Sequence, residues 1–223
     1  MIRVRGLGRS GRSGRRCAAP VAAAAVAVLL LSGCSGGGDA LSLGSLQEKA
    51  AKIGGDGAAD CPLAYDLAGA AKTAGVSLAA GPGDTQGEEP AVTAEDGREA
   101  PEGSAWAANP GALVTCTFHL GQEDVELHTV ATEKVQALSV LAPVAQRAAG
   151  IGIDDLRTFL KDAAAAKKGV PVVAKSGNVA AARLGIDGSG DASLLLTVGD
   201  SGKSELGAEQ VGALAKALAG QLG

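Results

Sequence analysis

The sequence predicts an α+β domain: an antiparallel sheet of about five strands, in two or three hairpins, covered by helices on one face. Three observations predict it. Apolar and polar residues alternate with period two on either side of the polar turn at 121–124, and two further strand-like segments, 179–186 and 192–198, flank a polar turn at 187–191. Other segments repeat apolar residues at helical spacing, most clearly between Asp154 and Lys168. Finally, the segments run as helices, a hairpin, helices, further strands and a last helix, which is the order of an α+β chain.

The chain begins with a segment of another kind. Residues 1–17 carry six arginines (Arg3, Arg5, Arg9, Arg12, Arg15 and Arg16) and no acidic residue, and residues 18–31 form an apolar run broken only by Pro20. A basic start, a short apolar run and small residues at its end make a signal peptide. The run falls short of the roughly 20 apolar residues of a spanning helix, and the arginines would hold the N-terminus in the cytoplasm. It closes on Leu31-Ser32-Gly33-Cys34. This tetrapeptide resembles the lipobox of bacterial lipoproteins. The resemblance implies a cut between Gly33 and Cys34, removal of residues 1–33, and a diacylglyceryl group on the Cys34 thiol. A single acyl chain anchors only marginally, so a diacyl group is what a stable anchor needs. The mature protein is then expected on the outer face of the cytoplasmic membrane. Residues 34–44 would be a Gly/Ser tether, and residues 45–223 a single domain. Arg15-Arg16 lacks the following bulky apolar residue of a twin-arginine signal, which leaves the export route open.

Without the leader's six arginines, the mature chain holds 14 basic against 24 acidic residues, a net charge of −10. Nucleic acid and anionic headgroups repel such a surface, so the sequence predicts no nucleic-acid partner. Cys17 leaves with the leader and Cys34 is taken by lipid. Cys61 and Cys116 remain as one disulfide pair in an oxidising compartment, without the Cys-x-x-Cys or Cys/His spacing of a metal or redox centre. The aromatic residues of the mature chain are Tyr65, Trp106, Phe118 and Phe159, so Ala, Leu and Val must fill the core.

Taken in order, Ser45-x-x-Glu48 predicts a capping box opening a helix to Ile53. Asp60 as N-cap, Pro62 in the first turn and Gly75 as C-cap predict a second helix, with Leu63, Leu67, Ala70 and Ala74 on its apolar side. Residues 79–110 are acidic and rich in Gly and Pro, and predict a mobile surface insert from which Trp106 packs back onto the core. Val114, Cys116, Phe118 and Leu120 then face Val125 and Leu127 in a hairpin, with Leu120 opposite Val125. Thr132 is a candidate helix cap, and Pro143 predicts a kink or break before Gly150. Asp154 and Asp155 at the start and Lys167, Lys168 and Gly169 at the end delimit a helix whose charges oppose its dipole. Residues 170–174, 179–186 and 192–198 read as strands, with Ala182 opposite Leu196. A last helix over about 208–222 buries Val211, Leu214, Leu218 and Leu222.

Three motifs echo known chemistry and fail on their neighbours. Gly199-Asp200-Ser201-Gly202 lacks the flanks of a serine-protease nucleophile, and Gly202-Lys203-Ser204 lacks the first glycine of a phosphate loop. Asp187-x-Ser189-x-Asp191 has Ala192 and Val198 where a calcium loop needs Gly and Glu. The two histidines are a separate matter. In the expected register His119 opposes Glu126 with His128 nearby, three ligands within about 7–8 Å that could hold zinc or copper; ordinary solvent positions on an alternating strand are the alternative.

The layout over residues 45–222 resembles small lipoproteins of actinobacteria and, more loosely, the extracytoplasmic sensor domains of their membrane kinases. What the chain predicts is therefore a non-enzymatic, membrane-anchored domain that binds a protein, an envelope component or a small ligand. No cofactor is expected. An enzyme whose site assembles only in three dimensions, or a passive envelope component, are the other classes.

Overall fold

The computed structural model describes residues 41–53, 61–83 and 103–222. Gly33, Cys34, Asp60 and the middle of the 79–110 stretch lie outside these residues. The order of elements is α1 (Leu43–Ala51), α2 (Leu67–Thr73), β1 (Ala80–Pro82), α3 (Ala105–Ala108), β2 (Gly111–Leu120) and β3 (Glu123–Thr132). A 3₁₀ turn (Ala137–Leu141) leads into α4 (Ala142–Ala149), followed by α5 (Ile153–Ala165), β4 (Val172–Val173), β5 (Val179–Arg183), β6 (Asp191–Val198) and α6 (Ala208–Ala219). The strands form one antiparallel sheet in the order β1-β2-β3-β6-β5-β4. The fold is α+β, with six strands rather than about five. The added strand, β1, comes from the start of the segment expected to be an insert. Its edge position suits Pro82, which has no N–H to give a ladder.

Helices cover both faces of the sheet, not one. On the first face α1, α2 and α6 bring Leu46, Leu67, Leu214 and Leu218 onto Val114, Cys116, Leu127, Leu194 and Leu196. On the second, the 3₁₀ turn, α4 and α5 bring Leu138, Leu141, Ala145, Leu156 and Phe159 onto Leu113, Val130, Ala181 and Leu195. The reason is visible in Leu194-Leu195-Leu196: an unbroken apolar run has no side to give to water, so it must be covered twice.

Both hairpins sit two residues away from the expected register. Leu120 pairs with Glu123 and Thr115 with His128, where the alternation suggested Leu120 with Val125. Ala182 pairs with Leu194, where it suggested Leu196. A slip of two keeps every side chain on its face, so the apolar pattern cannot detect it. The turn decides. Gly121, at φ 67°, is the first central residue of a two-residue loop, the place where a tight hairpin needs positive φ.

Local chemistry sets the remaining boundaries. Ser42, not Ser45, caps α1: its hydroxyl accepts from Ser45 N–H while Ser45 Oγ accepts from Ser42 N–H. Leu41 is buried and accepts from Asp187 N–H through its carbonyl, so the fold includes residues of the stretch expected to be tether. Asp66 caps α2 through Gly69 N–H. Thr132 ends β3 instead of capping a helix, giving its hydroxyl to the Lys134 carbonyl. Pro143 stands in the first turn of α4, where a missing N–H is harmless, and the chain breaks there as the proline predicted. Trp106 lies half-buried against the second core. Cys61 and Cys116 form a disulfide with Cα atoms 5.3 Å apart, joining the segment before α2 to the middle of β2.

Candidate functional site

The second face of the sheet is apolar at one end and polar at the other. Leu113, Val130 and Leu195 lie under the helices, whereas Thr115, Glu126, His128 and Thr197 occupy the end nearer the β2–β3 turn. His128 is buried there with both ring nitrogens engaged. Nδ1 lies 3.0 Å from the Thr115 hydroxyl and Nε2 lies 3.2 Å from Glu126 Oε2. Nε2–H donates to the carboxylate, and Nδ1 is paired with the Thr115 hydroxyl. The Glu126 carboxyl is held below its ordinary pKa chiefly by the bond from His128. Partial burial opposes this, and the charges of His128 and Arg147 and the Thr197 hydroxyl add to it.

This network adjoins a cleft of about 860 Å³. One wall is the β2–β3 turn with Glu123, Asp124 and Glu126, another is Arg147 and Ala148 at the end of α4, and the third is the loop from Gly199 to Glu205. Glu123 pins that loop. It is only 9 % exposed, its Oε1 accepts from Glu205 N–H at 2.6 Å, and its other carboxylate oxygen occupies the space a side chain on Gly199 would need. Gly199 also has φ 52°, so the position suits glycine on both counts. Asn178, buried beneath, donates to the carbonyls of Ala148 and Gly199 and so ties two walls together. The walls are thus fixed by hydrogen bonds to backbone, while Asp124, Asp200, Lys203 and Glu205 remain exposed along the rim. Chemically the cleft can take a partner carrying positive charge against its carboxylates and some negative charge against Arg147 and Lys203.

Of the three candidate metal ligands, the structure brings together two. Glu126 and His128 meet, but His119 pairs with Asp124 and gives its Nδ1–H to the Pro82 carbonyl at 2.9 Å. Four strand positions, about 13 Å, separate it from the level of His128. The two-residue change of register is the cause. Among the described residues no three His, Cys, Asp or Glu side chains gather as a metal centre. The other motif residues have local duties. Ser201 Oγ donates to the Ala149 carbonyl, Lys203 pairs with Asp200, and Asp191 accepts from Gln136 and Ala137 N–H. Gly33 and Cys34 lie outside the described residues. Thr115, Arg147 and Thr197 entered no sequence motif, because a site shared among β2, β3, β6 and α4 leaves no short-range pattern.

Comparison with protein-family models, with curated proteins and with solved structures gives no match.

The lowered pKa makes a prediction about pH. A carboxyl whose folded pKa lies below its unfolded value stabilises the fold above the unfolded pKa and loses that contribution as pH falls through the folded one. The Glu126 contribution is therefore complete above about pH 5 and fades below it. With the side chain about half exposed, solvent screening keeps the effect small. Thermal melts at a series of pH values should show Glu126→Gln with a flatter acid limb than the parent, and an unchanged limb would count against the His128 bond as its cause.

Proposed function

We propose that the mature chain is a lipid-anchored, non-catalytic binding domain on the outer face of the cytoplasmic membrane, and that the cleft beside the Glu126–His128 pair is where it binds. The observation that carries the binding part is a recess whose walls are fixed from behind by Glu123 and Asn178, with exposed charged side chains along its rim. The hydroxyls nearby support a binding rather than a catalytic reading. Thr115 touches the imidazole but is buried, 5 % exposed, beyond reach of a substrate. Ser201 is reachable but its proton is committed to a backbone carbonyl. The lipobox at Leu31-Ser32-Gly33-Cys34 and the basic leader support the location. The mixed charge of the rim suits a protein segment or an envelope component bearing cationic groups.

Two measurements test the two parts separately. Membrane fractionation with intact-mass analysis should find the parent protein in the membrane with a diacylated Cys34 at its N-terminus, and Cys34→Ala released. In-cell cross-linking should place partner-linked peptides at Lys203, and Asp124→Lys with Glu205→Lys should abolish those links while the protein stays in the membrane. Links scattered over the surface and indifferent to the charge reversal would overturn the cleft.

A further inference from the structure

Two independent features of the fold bear on how the domain stands on its anchor. The first is where the chain enters. Leu41 and Ser42 dock against Asp187 in the β5–β6 connection, through a hydrogen bond from Asp187 N–H to the Leu41 carbonyl. That connection lies at the end of the sheet where Thr132 pairs with Asp191. The cleft lies at the other end, where Val125 pairs with Val198. Seven strand intervals, about 24 Å, separate the two ends. Only six residues, 35–40, lie between Cys34 and Leu41, a reach of at most about 25 Å even fully extended.

The second feature is the distribution of charge along the same axis. Helix α5 runs from the cleft end to the tether end: Asp155 pairs with Lys175 at the β4–β5 turn, and Gly169 N–H donates to the Arg183 carbonyl beyond the helix. It therefore sets Asp154 and Asp155 toward the cleft end of the sheet, and Lys167 and Lys168 toward the tether end. Lys134 joins them there, and the Arg183–Asp191 pair at that end is neutral. Among the described residues Glu133, Asp162 and Asp187 are the exposed acids toward that end, with Lys161 next to Asp162 in the chain, whereas at the cleft end the carboxylates outnumber Arg147, Arg157, Lys175 and Lys203. Val135 and Val170, 71 % and 47 % exposed, also stand at the tether end, with Ile153 the exposed large apolar residue at the other.

We propose that the tether end, with Lys134, Val135, Lys167, Lys168 and Val170, is a membrane-facing surface that rests on anionic lipid headgroups and presents the cleft away from the bilayer. This rests on the lipid-anchor reading above. The described residues carry 13 basic against 14 acidic side chains, so the body that approaches the bilayer is close to neutral and the exposed lysines of this end meet the headgroups first. The partner of the cleft comes from outside the membrane, not from within it.

The test uses the lipidated protein bound to vesicles of phosphatidylcholine and phosphatidylglycerol carrying an acceptor lipid, with a donor dye on Ser189→Cys or on Gln122→Cys. These exposed positions lie at the tether end and the cleft end respectively. Energy transfer from position 189 should exceed that from position 122 by at least about twofold, given the strand length between them. The difference should shrink on phosphatidylcholine alone, at high salt, and in Lys167→Glu with Lys168→Glu. Equal transfer from both positions, or a difference indifferent to phosphatidylglycerol, overturns the orientation. Protein that fails to stay on the vesicles at all overturns the anchor instead, so the two failures are distinguishable.

Discussion

Replacing Cys61 and Cys116 together by alanine is expected to lower stability by about 4 kcal/mol, the loop-closure entropy released when a bridge across 55 residues is lost. Both must be changed, because Cys61→Ala alone leaves a thiol sealed in the core at Cys116, which is fully buried on the first face of the sheet, and Cys116→Ala alone leaves a partly exposed free thiol at Cys61. The bridge fastens the segment that leads into α2 to the centre of β2. Without it Leu63, Leu67 and Ala70 are held by apolar contact alone, in a core of small side chains where each contact is modest. For a chain of this size a loss of 4 kcal/mol lowers the melting temperature by roughly 8–16 °C. Urea unfolding of the variant, and of the parent with reductant, should give the same reduced midpoint. A midpoint unmoved by both would mean that the bridge contributes nothing to the folded state.

The pairing of Cys61 with Cys116 was legible because it followed from elimination, which no error of register could disturb. The spacing of the last helix was legible too: Val211, Leu214 and Leu218 are buried as it predicts, while Leu222 lies half-buried beyond the end of α6. What was not legible shares one physical cause. Alternation carries information modulo two, so in the β2–β3 hairpin the face of each residue was readable but its partner was not. The whole metal reading rested on the partner: with Leu120 opposite Val125, His119 stands beside Glu126, whereas with Leu120 opposite Glu123 it stands beside Asp124. The signal that could have decided lay in Gly121, whose φ of 67° makes a two-residue turn.

The second apolar face was written in Ala180-Ala181-Ala182 and Leu194-Leu195-Leu196, runs too continuous for a sheet wet on one side. The candidate site divides in the same way. Glu126 and His128 are two apart on one strand and must share a face, so their meeting was implicit in the sequence. Thr115 needed the register, Thr197 the neighbouring strand, and Arg147 the packing of α4. None of those three is encoded within a window of a few residues.

Asp191→Ala is the second large effect, expected to cost about 3–5 kcal/mol. The motif around Asp191 looks like the beginning of a calcium loop, yet its carboxylate, with the side chain only 7 % exposed, is spent on the chain itself. Oδ2 accepts from both Gln136 and Ala137 N–H at 3.0 Å, and Oδ1 takes the Arg183 guanidinium at 3.0 Å. Gln136 has φ 72°, a left-handed conformation that disfavours any residue but glycine, and these two bonds hold it there. Removing the carboxylate therefore leaves two N–H groups without their acceptor and a half-covered guanidinium without its partner, at the start of the 3₁₀ turn that carries Leu138 and Leu141 into the second core. Asp191→Asn keeps one acceptor oxygen and should lose roughly half as much. Arg183→Ala should lose least, since the carboxylate keeps its backbone donors and Arg183 is partly exposed. Denaturant titration of the three variants decides the order; an Arg183→Ala loss equal to that of Asp191→Ala would show that the ion pair, not the cap, is the source. The consequence extends beyond stability. The 3₁₀ turn runs directly into α4, and α4 delivers Arg147 and Ala148 to the cleft at the opposite end of the sheet. A carboxylate at one end of the sheet thus sets the position of a cation at the other, and on the proposed function Asp191→Asn should weaken cross-linking at Lys203 even where the protein remains folded.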